Sequence, residues 1–328
     1  MTSSVPKVRL AGGLEICRVL NGMWQVSGAH GTVNKTKAGS APPALQGLTK
    51  YVPRPGPMEL KVVEKALQRS MSRMRVDTLD CVQFHWWDYK DKRYLDALGH
   101  LSDLQQEGVI RELALTNFDT QRLEEITNKG ICISSNQVHH MPAGSVLSDR
   151  PATCSEDGAV LCGQQYKAPH IRIAGCLHCL LPAFLTPSSP SSAGGLLSEQ
   201  YLGKPEPSSR AELNTASLSK YKNMIDAWGG WTLFQDLLVA LETIAKRHEC
   251  SVASVATRYV LDRPAVGGVI IGCRFGVAGA GLHISDSLRS CSPDLRLTAE
   301  DHAAIEAVTR RSRDLMGLIG DCGDEYRS

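Results

Sequence analysis

Nothing in this chain is long and apolar enough to cross a membrane. The longest apolar stretch, Ile173 to Leu185, falls short of the roughly 20 residues a spanning helix needs, and Pro182 interrupts it. Met1 to Leu10 hold no apolar core followed by a cleavage site, so no secretory leader is expected. An excess of one charge is also missing: 36 Lys and Arg stand against 34 Asp and Glu, for a net +2. With no basic stripe and no interleaved aromatics, a nucleic-acid partner is not expected. The 11 Cys are odd in number and lack framework spacing, which argues for reduced thiols and a cytoplasmic setting. What remains is a 328-residue chain able to bury a large core, of the size of one barrel domain.

The chain does contain an alternation of buried strands and amphipathic helices. Ile16 to Leu20 reads as a first strand, and Leu45 to Lys50 as a second that ends before Pro53, Pro55 and Pro57. Helical spacing follows from Met58 to Met74. Then come a strand over Leu79 to His85, a helix over Tyr94 to Glu107, a strand over Ile110 to Thr116, a helix over Thr120 to Asn128 and a strand over Ile131 to Val138. Units repeating at this spacing call for a parallel sheet. The order breaks between Arg150 and Ala193, where periodicity is weak and the end is rich in Pro and Ser. Helices resume over Leu213 to Trp228, Leu233 to His248 and Val252 to Leu261. A strand over Val266 to Gly272 and a helix opening on the Thr298 and Asp301 capping pair complete the pattern.

Five stretches carry a family resemblance: VDTLDCVQFHWWDY at 76–89, GVIRELALTNFD at 108–119, SSNQVHH at 134–140, AGGLLSEQYLG at 193–203 and VGGVIIGCR at 266–274. In these the chain resembles the aldo-keto reductases. The resemblance implies an α/β fold, a TIM-type (β/α)8 barrel, within a single domain spanning 1–328. It also implies an NADP-dependent oxidoreductase that reduces an aldehyde or ketone by hydride transfer. In that family an Asp, a Tyr, a Lys and a His do the chemistry. The Tyr is the general acid, and a phenol with pKa near 10 needs a neighbouring cation to act close to neutral pH.

Lys50 and His85 match the catalytic Lys and His, each closing a strand. A solvated strand-end lysine and a satisfied core histidine are the plainer alternatives. The Asp and the Tyr have no counterpart. Between the first strand and the Lys50 strand, the family order requires a helix, a strand and a second helix, about 40 residues at ordinary element lengths. The stretch 25–47 is about half as long, so one βα unit is missing and the barrel is expected to be incomplete. The seventh strand is also in doubt, because it is due just before Gly194, where the sequence is Pro-Ser-rich. The segment 150–193 reads as an irregular insert. Tyr51 adjoins Lys50, but neighbouring residues on a strand face opposite ways. Tyr89 belongs to the loop after His85 and reads as a rim residue.

For the cofactor, Thr116 and Asn117 match the pair that binds the nicotinamide carboxamide, and Gln137 closes the next strand at the same edge. Gly22 and Trp24 match a further cofactor edge. Arg274 matches the residue facing the adenosine 2′-phosphate, which favours NADP over NAD. Ser285 and Asp286 stand as the remnant of the adenine patch. No metal is expected: Cys176 and Cys179, with Cys154, Cys162 and His170 upstream, do not complete a zinc pattern, and His139-His140 lacks the His-x-His spacing common in barrel hydrolases. The partner expected is a small carbonyl compound. The alternative from another class is a non-catalytic NADP-binding or interaction protein derived from the family.

Overall fold

The computed structural model describes residues 6–23, 46–138, 171–174, 196–207, 212–213, 216–263, 266–272, 285–286, 288–315 and 318. Two short strands, β1 (Lys7–Arg9) and β2 (Glu15–Cys17), form an antiparallel hairpin. Seven parallel strands form the main sheet: β3 (Val19–Gly22), β4 (Leu48–Tyr51), β5 (Leu79–His85), β6 (Ile110–Thr116), β7 (Ser135–Val138), β8 (Ile171–Ala174) and β9 (Val266–Gly272). Their order is β3-β9-β8-β7-β6-β5-β4. This is the order of a barrel cut open between its first strand and the next, since β3 and β4 are edges with no described strand between them. Among the described residues, seven α-helices join the set: α1 (Leu60–Met74), α2 (Arg93–Gln106), α3 (Thr120–Asn128), α4 (Ala216–Trp228), α5 (Gly230–Arg247), α6 (Val252–Leu261) and α7 (Ala299–Thr309).

Alternation along the strands gives the sheet two faces. On the outer face, Val82, Phe84, Leu113 and Leu115 pack with Val63 and Leu67 of α1 and Leu98 and Leu101 of α2. Phe84 is fully buried there, which contributes about 1.5–3 kcal/mol for the side chain alone. On the inner face, Leu20, Leu48, Cys81, Ala114 and Ile270 meet Leu10, Leu14 and Ile16 of the hairpin. The hairpin is therefore a plug across the N-terminal end of the strands. Glu112 secures it: the fully buried carboxylate accepts from Gly12 N at 2.9 Å and Leu14 N at 3.0 Å. A Cβ at Gly12 would sit 2.8 Å from that carboxylate, so only glycine permits the approach.

Several expectations need correction. Ile16 to Leu20 is not one strand. It breaks at Arg18, whose amide donates to Pro6 O and whose guanidinium donates to the carbonyls of Leu261, Val266 and Gly267. The strand expected over Ile131 to Val138 pairs only from Ser135 onward. The seventh strand is present as β8, earlier than expected and inside the segment read as irregular. It lies parallel to β7 and to β9. The rest of 150–193 lies outside the described residues. At α7 the capping box forms: Asp301 N donates to Thr298 Oγ1 at 3.1 Å, and Thr298 N to Asp301 Oδ2 at 2.9 Å.

Candidate active site

The C-terminal ends of β4, β5, β6 and β7 are neighbours, and they bring Lys50, His85, Thr116 and Gln137 to one end of the sheet. Lys50 is the register partner of Gln83, and His85 that of Thr116, which in turn pairs with Gln137. Register partners share a face, so Lys50, Gln83, His85, Thr116 and Gln137 all belong to the inner face. Gly22 ends β3 in register with Gly272 of β9. Trp24 and Arg274 lie outside the described residues, as do Cys154, Cys162, His170, Cys176, Cys179, His139 and His140.

Lys50 reaches solvent, yet the surrounding protein strips enough of its hydration to lower its pKa to about 8. Loss of hydration is the only cause: among the described residues, no carboxylate and no hydrogen-bond acceptor meets its ammonium. His85 is buried, and its Nδ1 lies 3.1 Å from Thr116 O. A carbonyl only accepts, so Nδ1 carries a proton. Trp87, exposed at the rim, stands edge-on to His85 with ring centroids 4.6 Å apart.

Asn117 follows β6 in the left-handed conformation, at φ 58°. Asparagine tolerates this region better than most residues, and such backbone outliers gather at binding sites. Two hydrogen bonds hold it. Its amide donates to Gln137 O at 2.9 Å, and its carbonyl accepts from Tyr89 Oη at 3.1 Å. Tyr89 is thus buried and not a rim residue: its oxygen also accepts from Asp119 N, and Arg122 lies over its ring. Asn136 adds a second brace, donating to Phe118 O at 2.7 Å and accepting from Phe118 N at 3.4 Å. Neither brace is visible as a motif, because each joins residues from different units. Tyr51 turns to the outer face against Phe84 and donates to Met58 Sδ, away from Lys50. Asp286 is taken up in capping α6, where it accepts from Ser251 Oγ at 2.6 Å and Ser254 Oγ at 3.0 Å.

Among the described residues, three buried polar atoms on the inner face have no hydrogen-bond partner: Gln83 Nε2, Thr116 Oγ1 and Ser135 Oγ. A buried polar group left without a hydrogen bond is costly, and a ligand bearing an amide would supply what these atoms lack.

A parallel sheet in barrel order, with polar side chains at its C-terminal strand ends, defines a TIM-type α/β architecture. The model of the aldo/keto reductase family matches residues 35–154 and 185–310, and the chain belongs to that family of oxidoreductases. It is 26% identical over 203 residues to flagellar radial spoke protein 5 of Chlamydomonas reinhardtii, covering 57% of this chain and 34% of that protein. It is 30% identical over 80 residues to methylglyoxal reductase DkgA of Yersinia pestis, covering 24% of this chain and 29% of that one. The chain thus spans about a third of the length of these curated relatives. Among solved structures, a glycerol dehydrogenase from Gluconobacter oxydans superposes with a TM-score of 0.61 at 18% identity, covering 94% of this chain and 96% of that one. An aldo/keto reductase from Brucella melitensis gives 0.56 at 17% identity, covering 94% and 99%. These likenesses establish the fold.

Proposed function

We propose that this chain binds NADP at the C-terminal end of its sheet, takes a small aldehyde or ketone beside it, and reduces that carbonyl poorly. The observation that carries the reading is the convergence of Lys50, His85, Thr116 and Gln137 on the ends of four adjacent parallel strands. The orphaned Thr116 hydroxyl and the Gln137 side chain suit a nicotinamide carboxamide, which needs both a donor and an acceptor. Asn117, fixed by Tyr89 and Gln137, completes that cradle; Gly22 and Trp24 are assigned to a further cofactor edge from the family resemblance alone. Arg274 follows β9 and is assigned to the 2′-phosphate. When bound, the cofactor supplies hydride.

The protein's own part is to hold the carbonyl and deliver a proton to its oxygen. Lys50 places a positive charge near the developing alkoxide, and His85 orients the carbonyl. The general acid is what we propose the site lacks: of the tyrosines near Lys50 and His85 among the described residues, Tyr51 faces outward and the Tyr89 hydroxyl is committed to backbone. The unpartnered state of Lys50 fits the loss of the family's Asp. The setting we assign is the cytoplasm, with thiols reduced. Among the described residues no helix is long and apolar enough to cross a membrane.

The test is a fluorescence titration with NADPH and NADH. NADPH is expected to bind more tightly, and Arg274→Ala to weaken it by about 1.5–3 kcal/mol while leaving NADH nearly unchanged, the range for a charge-assisted hydrogen bond. Equal affinity for the two cofactors contradicts the reading. A second reading, a non-catalytic interaction protein, is favoured by the similarity to a relative whose name places it in a flagellar radial spoke. It predicts no turnover with any aldehyde.

A further inference from the structure

We propose that a cavity at the N-terminal end of the sheet, opposite the candidate active site, binds the phosphate group of a small phosphorylated compound. The cavity holds about 560 Å³, and its wall includes Arg18, Arg258, Arg296, His302 and Asp262. Small-molecule pockets span about 300–1,000 Å³, so the volume suits a ligand larger than a bare ion.

Four stretches of chain build the site. Arg18 stands between β2 and β3. Arg258 lies in the last turn of α6, and Asp262 caps that helix. Arg296 precedes α7, and His302 belongs to it. Arg18 ties the cavity to the sheet. Its Nε donates to Gly267 O at 3.1 Å, and its Nη2 to Val266 O at 2.8 Å and Leu261 O at 2.6 Å. Val266 and Gly267 open β9, whereas His85 closes β5, so the two sites lie at opposite ends of the strands. None of the lining residues belongs to the inner face that the hairpin covers.

The charges do not balance. Three guanidiniums line the cavity with one carboxylate, and that carboxylate is spent. Asp262 Oδ1 pairs with Arg258 Nη2 at 2.5 Å, and Oδ2 lies 3.4 Å from His302 Nε2. Arg18 donates to carbonyls, which carry no net charge to offset its own. Arg296 donates to Pro293 O and, among the described residues, pairs with no carboxylate. Arg258 Nε is buried with no hydrogen-bond partner among the described residues, and an orphaned N–H within a group of cations marks a missing acceptor. Burial, and then the neighbouring Arg258 charge, pull the Arg18 pKa below the usual arginine value. An oxyanion would offset this repulsion and supply acceptors, and the planar guanidinium fork matches phosphate oxygens. Pro6, Pro293 and Leu297 give the wall an apolar part, which suits an organic body carrying the phosphate.

Calorimetric titration of the full-length protein at pH 7 tests this, with phenyl phosphate and inorganic phosphate as probes and phenol as the uncharged control. Phenyl phosphate is expected to bind more tightly than inorganic phosphate, and phenol not to bind. Arg296→Ala loses only the bond to Pro293 O within the fold, so its circular dichroism spectrum should be unchanged. It should weaken phenyl phosphate at least tenfold, the low end for a charge-assisted hydrogen bond, and Arg258→Gln should do the same. Arg274 is assigned to a phosphate as well, so the titration is repeated with saturating NADPH and on Arg274→Ala. Binding that survives both and falls in Arg296→Ala supports the inference. Binding unchanged in Arg296→Ala overturns it, and if that binding is lost in Arg274→Ala it belongs to the cofactor site instead. Equal affinity for the two phosphates overturns the assignment to a phosphorylated organic compound. No heat with either phosphate overturns the inference and leaves cofactor binding, judged by NADPH titration, standing on its own.

Discussion

The two ends of the same inner face are built to different standards. At the N-terminal end, the hairpin closes the sheet with Leu10, Leu14 and Ile16, and the buried Glu112 carboxylate is matched by two backbone donors. At the C-terminal end, among the described residues, Lys50 has no counter-ion, and Gln83 Nε2, Thr116 Oγ1 and Ser135 Oγ have no partners. The closed end gives each buried charge its hydrogen bonds, which is what stability demands. The open end leaves polar groups waiting, which is what binding demands. The βα unit expected to be missing would carry the family's Asp and Tyr, so we propose that its loss falls on the open end, while the plug is contributed by residues 7–17.

The sharpest way to break this contrast is Glu112→Ala. It removes two charge-assisted hydrogen bonds and strands two backbone donors, so a loss of about 3 kcal/mol is expected in urea denaturation. A change below 0.5 kcal/mol would mean that the plug does not hold the sheet. A smaller effect is expected at the brace between the regions. Tyr89→Phe removes the bond to Asn117 O and should cost about 1 kcal/mol in stability while weakening NADPH binding.

The smallest effect belongs to Lys50→Met, expected to be neutral or slightly stabilising near pH 7, since no ion pair is lost. Its pH dependence has a definite sign. The folded-state pKa, about 8, lies below the ordinary lysine value near 10.4. Between these values the unfolded state binds more protons, so native stability rises with pH. The penalty from Lys50 is fully present below pH 8 and fades toward pH 10.5, and in Lys50→Met that rise should vanish. A parent protein whose stability relative to Lys50→Met falls across this window would contradict the environment described for Lys50.

Much of this was legible in the sequence wherever elements are long and strongly patterned. Leu79–His85, Ile110–Thr116, Thr120–Asn128 and Val252–Leu261 form where the apolar runs and helical spacing place them. Counting residues led to the expectation of a missing βα unit; residues 24–45, where it would fall, lie outside the described residues. Three-residue strands such as Lys7–Arg9 carry too little pattern to read, and the break at Arg18 depends on carbonyls some 250 positions away. Ile171–Ala174 was hidden because a four-residue strand does not stand out in a segment with no periodicity. In the site, strand-end positions exposed Lys50, His85, Thr116 and Gln137. The roles of Tyr89 and Asn136 rest on bonds between units and have no local signature.

The central claim is that the site is assembled for cofactor and carbonyl but lacks its acid. General acid catalysis is typically worth 10²–10⁴-fold. Steady-state oxidation of NADPH by the purified protein, with a reactive aldehyde at saturation, tests this most directly. The account predicts turnover at least a hundredfold below about one per second, an ordinary enzyme rate. Turnover at one per second or faster would contradict it and would require a proton donor other than Tyr51 and Tyr89.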